Sequence, residues 1–140
     1  MTDDAPLPQV WPTLRARDAR GLIRFLVAAF GFQEVVAWGD QPDGSGDVVV
    51  HAQLAWPEGG GIMLGSAGDT ADDPSQIQPG STACYVVTGD PDAVHARAVA
   101  AGAEITQGLH ETDYGSRDFA ARDLEGNRWS FGTYRGHPRS

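Results

Sequence analysis

The chain contains no lysine: all ten of its basic residues are arginine. Against them stand nineteen Asp and Glu, which leaves a formal net charge of −9 at pH 7. That balance argues against a nucleic-acid phosphate backbone as partner. It would steer a cationic ligand toward the surface. The single cysteine, Cys84, excludes an internal disulfide, and nothing around it in the sequence would hold a thiolate, so it is expected to be buried and unreactive. No apolar run approaches the ~20 residues of a membrane-spanning helix, which leaves the membrane out as a partner. The first residues, Met1-Thr2-Asp3-Asp4, lack the basic-then-apolar layout of a signal peptide. A cytoplasmic protein is expected. Glycine is plentiful, but no stretch has phosphate-loop spacing after a strand. The absence of lysine, with so much Ala, Gly and Arg, is the composition of a GC-rich bacterial genome.

What is present is said twice. Asp18-Ala19-Arg20 opens an apolar helical stretch ending Phe30-Gly31-Phe32, and Asp90-Pro91-Asp92 opens another ending Ala101-Gly102-Ala103. Glu58-Gly59 leads into Ile62-Met63-Leu64, and Glu125-Gly126 leads into Trp129-Ser130-Phe131. Gly31 and Gly102 lie 71 positions apart, and Glu58 and Glu125 lie 67 apart. Such a small drift is what unequal loops in two copies produce. The 140 residues suit two small modules sharing a core.

The local signals agree with that division. Alternation predicts a strand over 10–17, and Asp18 is placed to cap a helix with Leu22, Phe25, Leu26 and Ala29 on its apolar face. Strands are expected over 34–38, 47–56 and 62–64, with a hairpin at Pro57-Glu58-Gly59-Gly60-Gly61. In the second half they are expected over 82–88, 105–107, 117–122 and 127–134. A helix follows Asp90, with Pro91 first and Val94, Ala98 and Ala101 buried. Residues 110–116 read as a polar loop containing His110, Glu111 and Asp113. The expected fold class is α+β: two β-α-β-β-β modules, residues 9–66 and 81–135, forming a curled mixed sheet around a cleft. A linker covers 67–80, and residues 1–8 and 136–140 are tails, with His137 in the second of them.

The layout and several phrases resemble the vicinal oxygen chelate superfamily, which includes glyoxalase I, bleomycin-resistance proteins and extradiol dioxygenases. The phrases are Leu14-Arg15-Ala16-Arg17-Asp18, Phe25-Leu26 through Phe30-Gly31-Phe32, and His51-Ala52-Gln53-Leu54. The second half adds Tyr114-Gly115-Ser116-Arg117 and Asp123-Leu124-Glu125-Gly126-Asn127-Arg128-Trp129-Ser130-Phe131. The resemblance implies four inward-facing metal ligands, usually His, Gln or Glu, on the first and last strands of each module. Carried onto this chain, those places fall at Trp11, Met63, Ala83 and Ser130. An indole, a thioether, a methyl and one hydroxyl do not make a site for a hard divalent ion. No metal and no cofactor is therefore expected. The resemblance also implies a homodimer, with Trp11, Trp38 or Trp56 as interface anchors.

Strand alternation gives the expected cleft lining. If Val48, Val50, Ala52 and Leu54 pack under the helices, then Val49, His51, Gln53 and Ala55 face the cleft. The ligand-binding candidates are Trp11, Thr13, Trp38, His51, Gln53, Met63, Tyr85 and Ser130, with Trp38 and Trp56 at the rim. His51 is the candidate catalytic base. His95 is expected on the exposed side of its helix, and Arg117 is expected to pair with a nearby Asp. The function these features suggest is metal-independent binding of a small aromatic or cationic molecule, as bleomycin-resistance proteins bind an antibiotic. The alternative is a lyase, isomerase or dioxygenase-like enzyme that uses His51 as base or an unrecognised metal site.

Overall fold

The computed structural model describes residues 7–68 and 77–138. Most of the expected linker and the outermost tail residues lie outside the described residues.

The first helix, α1, spans Ala19–Phe25. The Asp18 Oδ1 accepts the Gly21 N–H at 3.0 Å, so a carboxylate satisfies one of the free N–H groups at its start. Leu22, Leu26 and Ala29 are fully buried along one side. The last turn widens to a π-helix over Leu26–Phe30 and stops at Gly31, whose φ of 94° only glycine adopts without strain. The second helix, α2, spans Pro91–Ala100. The Asp90 Oδ1 accepts the Ala93 N–H at 3.1 Å, and Gly102 ends the helix at φ 79°. Ala101 is exposed, contrary to expectation, while His95 packs its ring edge-on at 5.1 Å from Phe119. The face of α2 therefore turns inward through Pro91, Val94, His95 and Ala98.

Strands β1 Thr13–Ala16, β2 Gln33–Gly39, β3 Val49–Ala55 and β4 Gly61–Ser66 form one sheet, in the order β1-β4-β3-β2. Strands β5 Ala83–Val87, β6 Glu104–Glu111, β7 Arg117–Arg122 and β8 Arg128–Gly132 form the other, in the order β5-β8-β7-β6. In each sheet the first strand runs parallel to the last, and the other pairs are antiparallel. The same order occurs twice, so the chain is two βαβββ modules, α+β in class.

Two irregular strands depart from the sequence pattern. On β3, Trp38 pairs with His51 but Gly39 pairs with Val49, so Val50 is an extra residue. A bulge of this kind moves the residues before it to the opposite face. Val49 is therefore core, whereas Val48 and Val50 are exposed, the reverse of the expected alternation. Strand β6 breaks register on both sides of Gln107 and continues to Glu111. It thus takes in His110 and Glu111, which the sequence pattern assigns to a loop.

The core lies between helices and sheets and runs across both modules. Phe30 packs against Trp129 and Phe131 at 5.7 and 4.7 Å between ring centres, and Phe32 meets Trp56 and Trp129 at 5.0 and 5.5 Å. Trp56 lies in this cluster and donates its indole N–H to the Val87 carbonyl at 2.9 Å. It is a buried residue that joins the modules and also lines a cavity between them, so it offers no free surface as an interface anchor. Truncating any one of these aromatics to Ala would remove about 3–5 kcal/mol.

Polar contacts fix the same junction. Arg97 donates to the Val27 and Ala28 carbonyls at 3.0 and 2.9 Å. Glu125 accepts the N–H groups of Arg17 and Asp18, and Glu58 accepts that of Gly89. Asp123 organises the last hairpin: its carboxylate accepts the N–H groups of Glu125 and Asn127, the Asn127 amide and the Trp129 indole, all at 2.8–3.0 Å.

Candidate ligand-binding site

Helices cover one face of each sheet, and the other face carries most of the side chains singled out above. Strand register sorts them. On the first sheet, Thr13 lies beside Met63, Met63 beside Gln53, and Gln53 beside Val36. His51 and Trp38 form a cross-strand pair one row away. The Arg15 guanidinium lies over Gly65, where a Cβ would come within 2.6 Å of its Nη1. Trp11 precedes β1, and its ring lies over Gly61. On the second sheet, Tyr85 pairs with Ser130, and Ala83 pairs with Arg128 one row away. The eight candidates thus form two groups, six on one sheet and two on the other. Trp11 bonds locally, its indole donating to the Pro8 carbonyl at 3.2 Å.

His51 is exposed, and among the described residues no side chain hydrogen-bonds its ring. A base that abstracts a proton is ordinarily held in one orientation by a second group. His51 has no such partner here. Arg117 donates to both Asp92 oxygens at 2.6 and 3.1 Å and to Glu111 at 3.1 Å, as an ion pair on the surface. Its guanidinium is thereby held further above its already high pKa, first by the Asp92 hydrogen bonds.

The most developed polar arrangement shares only Tyr85 with the candidates read from the sequence. Asp118 on β7 is only 8% exposed. Its carboxylate accepts hydrogen bonds from Ser116 Oγ, from the Tyr85 hydroxyl at 3.4 Å and from the Tyr114 hydroxyl at 3.2 Å. The Tyr85 hydroxyl in turn accepts the Tyr134 N–H at 3.1 Å. Gly132 faces this group across the sheet, and a Cβ there would collide with both the Asp118 carboxylate and the Tyr85 hydroxyl. Local desolvation, and then the nearby Asp118 charge, raise the Tyr114 phenol above its ordinary pKa. The rings of Tyr85, Tyr114 and Tyr134 and the His137 imidazole line an open cavity of 580 Å³, and the Tyr85 and Tyr114 hydroxyls tie it to the carboxylate. The sequence holds one signal: Ser116 and Asp118 are two apart, so they share a strand face. The convergence of Tyr85 and Tyr134 on that face is long-range and leaves no local mark.

A second cavity, 220 Å³, opens at the seam between the modules. Pro12, Gly61, Trp56, Cys84 and Tyr85 are among the residues that line it. Burial, with a smaller contribution from Asp123, pushes the Cys84 thiol up to about 11, so it is protonated near neutrality.

A family model for the glyoxalase/bleomycin resistance protein/dioxygenase superfamily matches residues 9–131. The chain belongs to that superfamily. Among solved structures, TioX from Micromonospora sp. ML1 is 27% identical, with 89% of this chain and 98% of that one covered at a TM-score of 0.69. A glyoxalase/bleomycin resistance protein from Streptomyces sp. CB03234 is 22% identical, with 86% of this chain and 96% of that one covered and a TM-score of 0.62. A mutant of the fosfomycin resistance protein FosX from Listeria monocytogenes, solved with Mn(II) and a dihydroxypropylphosphonic acid, is 16% identical. There 91% of this chain and 92% of that one are covered, with a TM-score of 0.61. The last two show the fold alone. A search of curated proteins by sequence found no match.

The superfamily's metal-binding members test this chain's donors. The side chains at the places expected from the resemblance are Trp11, Met63, Ala83 and Ser130, and strand register sets Thr13 beside Met63 and Tyr85 beside Ser130. They offer hydroxyls, a thioether and apolar surface, which do not fit a hard divalent ion. Among the described residues no group of three or more His, Cys, Asp or Glu is placed to hold a metal. Among them too, no helix is long and apolar enough to cross a membrane.

Proposed function

We propose that this superfamily member binds and sequesters a small aromatic or cationic molecule of the antibiotic type, without a metal. It would act as a cytoplasmic homodimer in a bacterium. What carries this reading is the donor chemistry at Trp11, Met63, Ala83 and Ser130, the places onto which the resemblance carries the superfamily's metal ligands. Aromatic and polar side chains on the helix-free faces support it, because small-molecule sites combine apolar walls with a few hydrogen-bonding groups. The helix-free faces are open to solvent in the single chain, with Trp38 and Tyr85 about half exposed. A second copy would enclose them.

The test is direct. Purified protein is analysed for Ni, Zn, Fe and Mn and titrated with a panel of planar aromatic molecules, followed by tryptophan fluorescence. The proposal expects saturable quenching and no stoichiometric metal. A one-to-one metal content with turnover that His51→Ala abolishes would establish the enzyme reading in its place.

A further inference from the structure

Asp118 is a buried carboxylate with three hydroxyl donors and no cationic partner: none of the ion pairs among the described residues includes it. Hydroxyl hydrogen bonds hold the charge in place but do not neutralise it. Two of its donors, Tyr85 and Tyr114, line the open cavity together with Tyr134, and all three rings keep free surface, Tyr85 at 42%, Tyr114 at 61% and Tyr134 at 37% exposed. The Tyr114 and Tyr134 rings meet edge to face at 5.4 Å, so their faces are set at a steep angle to one another. The His137 ring closes against Tyr134 at 5.9 Å. Aromatic faces attract a cation through their quadrupole, and the attraction strengthens where the cation sheds water. A neutral ligand would gain nothing from the uncompensated carboxylate beneath.

We infer that the pocket of Tyr85, Tyr114 and Tyr134 over Asp118 is a binding site for an organic monocation, an alkylated ammonium group held between phenol faces. This deepens the proposed binding function, on which it rests, by assigning the cationic part of the ligand to the second module, among residues mostly outside the expected lining. Space for the carboxylate comes from Gly132, whose missing side chain leaves Asp118 and Tyr85 room to meet. The net charge of −9 favours the approach of a cation.

The experiment compares choline with its neutral analogue, in which carbon replaces the ammonium nitrogen, by NMR titration of the intact chain. Choline should bind saturably, and the analogue at least tenfold more weakly. Asp118→Asn should weaken choline about tenfold and leave the analogue unchanged. Tyr114→Leu should weaken choline severalfold, whereas Tyr114→Phe, which keeps the ring face, should retain it. Tyr114 is exposed, so its variants test the site even if Asp118→Asn disturbs the fold. Equal binding of the two probes, no binding of choline, or indifference to Tyr114→Leu would overturn the inference. If planar aromatic probes still quench tryptophan while choline fails to bind, the cation site falls and the sequestering function stands. If no probe of either kind binds, both fall.

Discussion

Glu58 and Glu125 occupy equivalent hairpins and reach in opposite directions across the junction between modules. Glu125 accepts the backbone N–H groups of Arg17 and Asp18 at 2.8 and 3.0 Å, where β1 turns into α1. Glu58 accepts the N–H of Gly89 at 2.7 Å, where β5 turns into α2. Each module's hairpin thus holds the strand-to-helix turn of the other. The two are unequal, since the Glu125 side chain is only 6% exposed and Glu58 is exposed. Removing Glu125 takes a charged acceptor from two N–H groups of exposed residues, so Glu125→Ala should cost about 1–2 kcal/mol. Glu58→Ala should cost about 1 kcal/mol or less. Urea denaturation of the two variants checks the order, and equal losses would refute the asymmetry.

Asp123→Ala should be among the most damaging polar substitutions. It would leave the Trp129 indole, the Asn127 amide and two backbone N–H groups without their acceptor in the interior. We expect a loss of about 3–5 kcal/mol. Asp123→Asn should fall between this and the parent, because one acceptor oxygen survives while an NH2 group confronts the donors. Thermal melts of both variants read the difference.

Cys84 should resist thiol reagents. With its pKa pushed to about 11 from 9.0, its thiolate fraction at pH 8 falls roughly hundredfold. Labelling with a chromogenic disulfide should be slow in the native protein and fast in denaturant. The linked effect on stability has a definite sign. The unfolded chain loses this proton first, so the contribution is complete below pH 9 and drains away as pH rises toward 11. The side chain is half-buried rather than fully buried as the sequence suggests, and rapid native labelling at pH 8 would contradict the raised pKa.

Gly132→Ala should disturb the Asp118 group selectively. The added methyl collides with the Asp118 carboxylate and the Tyr85 hydroxyl. Overpacking of this sort costs about 1–3 kcal/mol. The amide resonances of Tyr134 and Ser116 should shift, while those of the first module stay in place. Unchanged spectra around Tyr134 would show that the two groups are not held as described.

Features written in neighbouring residues are readable from the sequence. Asp18 and Asp90 announce helix starts, Gly31 and Gly102 helix ends, and the two Glu-Gly turns the hairpins. The duplicated strand order follows from them. The bulge at Val50 is not readable, because an extra residue in a Val-Val-Val run leaves the hydrophobic pattern unchanged while reversing the faces before it. Trp56 escapes for another reason: a tryptophan beside a turn is half-polar by sequence, and only the arrival of Val87 and Phe32 buries it. The meeting of Tyr85 with Asp118 and Tyr134 likewise depends on segments far apart in the chain. Alternation puts Thr13, His51 and Gln53 on one face of the first sheet, where strand register sets Met63 and Trp38 beside them.

The ring cluster of Phe30, Phe32, Trp56, Trp129 and Phe131 draws about equally on both halves of the polypeptide. Either half made by itself would present an unfinished greasy wall to water, and would be sticky before it was stable. Supplied as separate fragments, the halves should recover structure only together, at a midpoint that moves with concentration. Joining them in one polypeptide replaces that bimolecular search with a tethered one. The repeated pattern thus keeps two mutually dependent halves within permanent reach of one another.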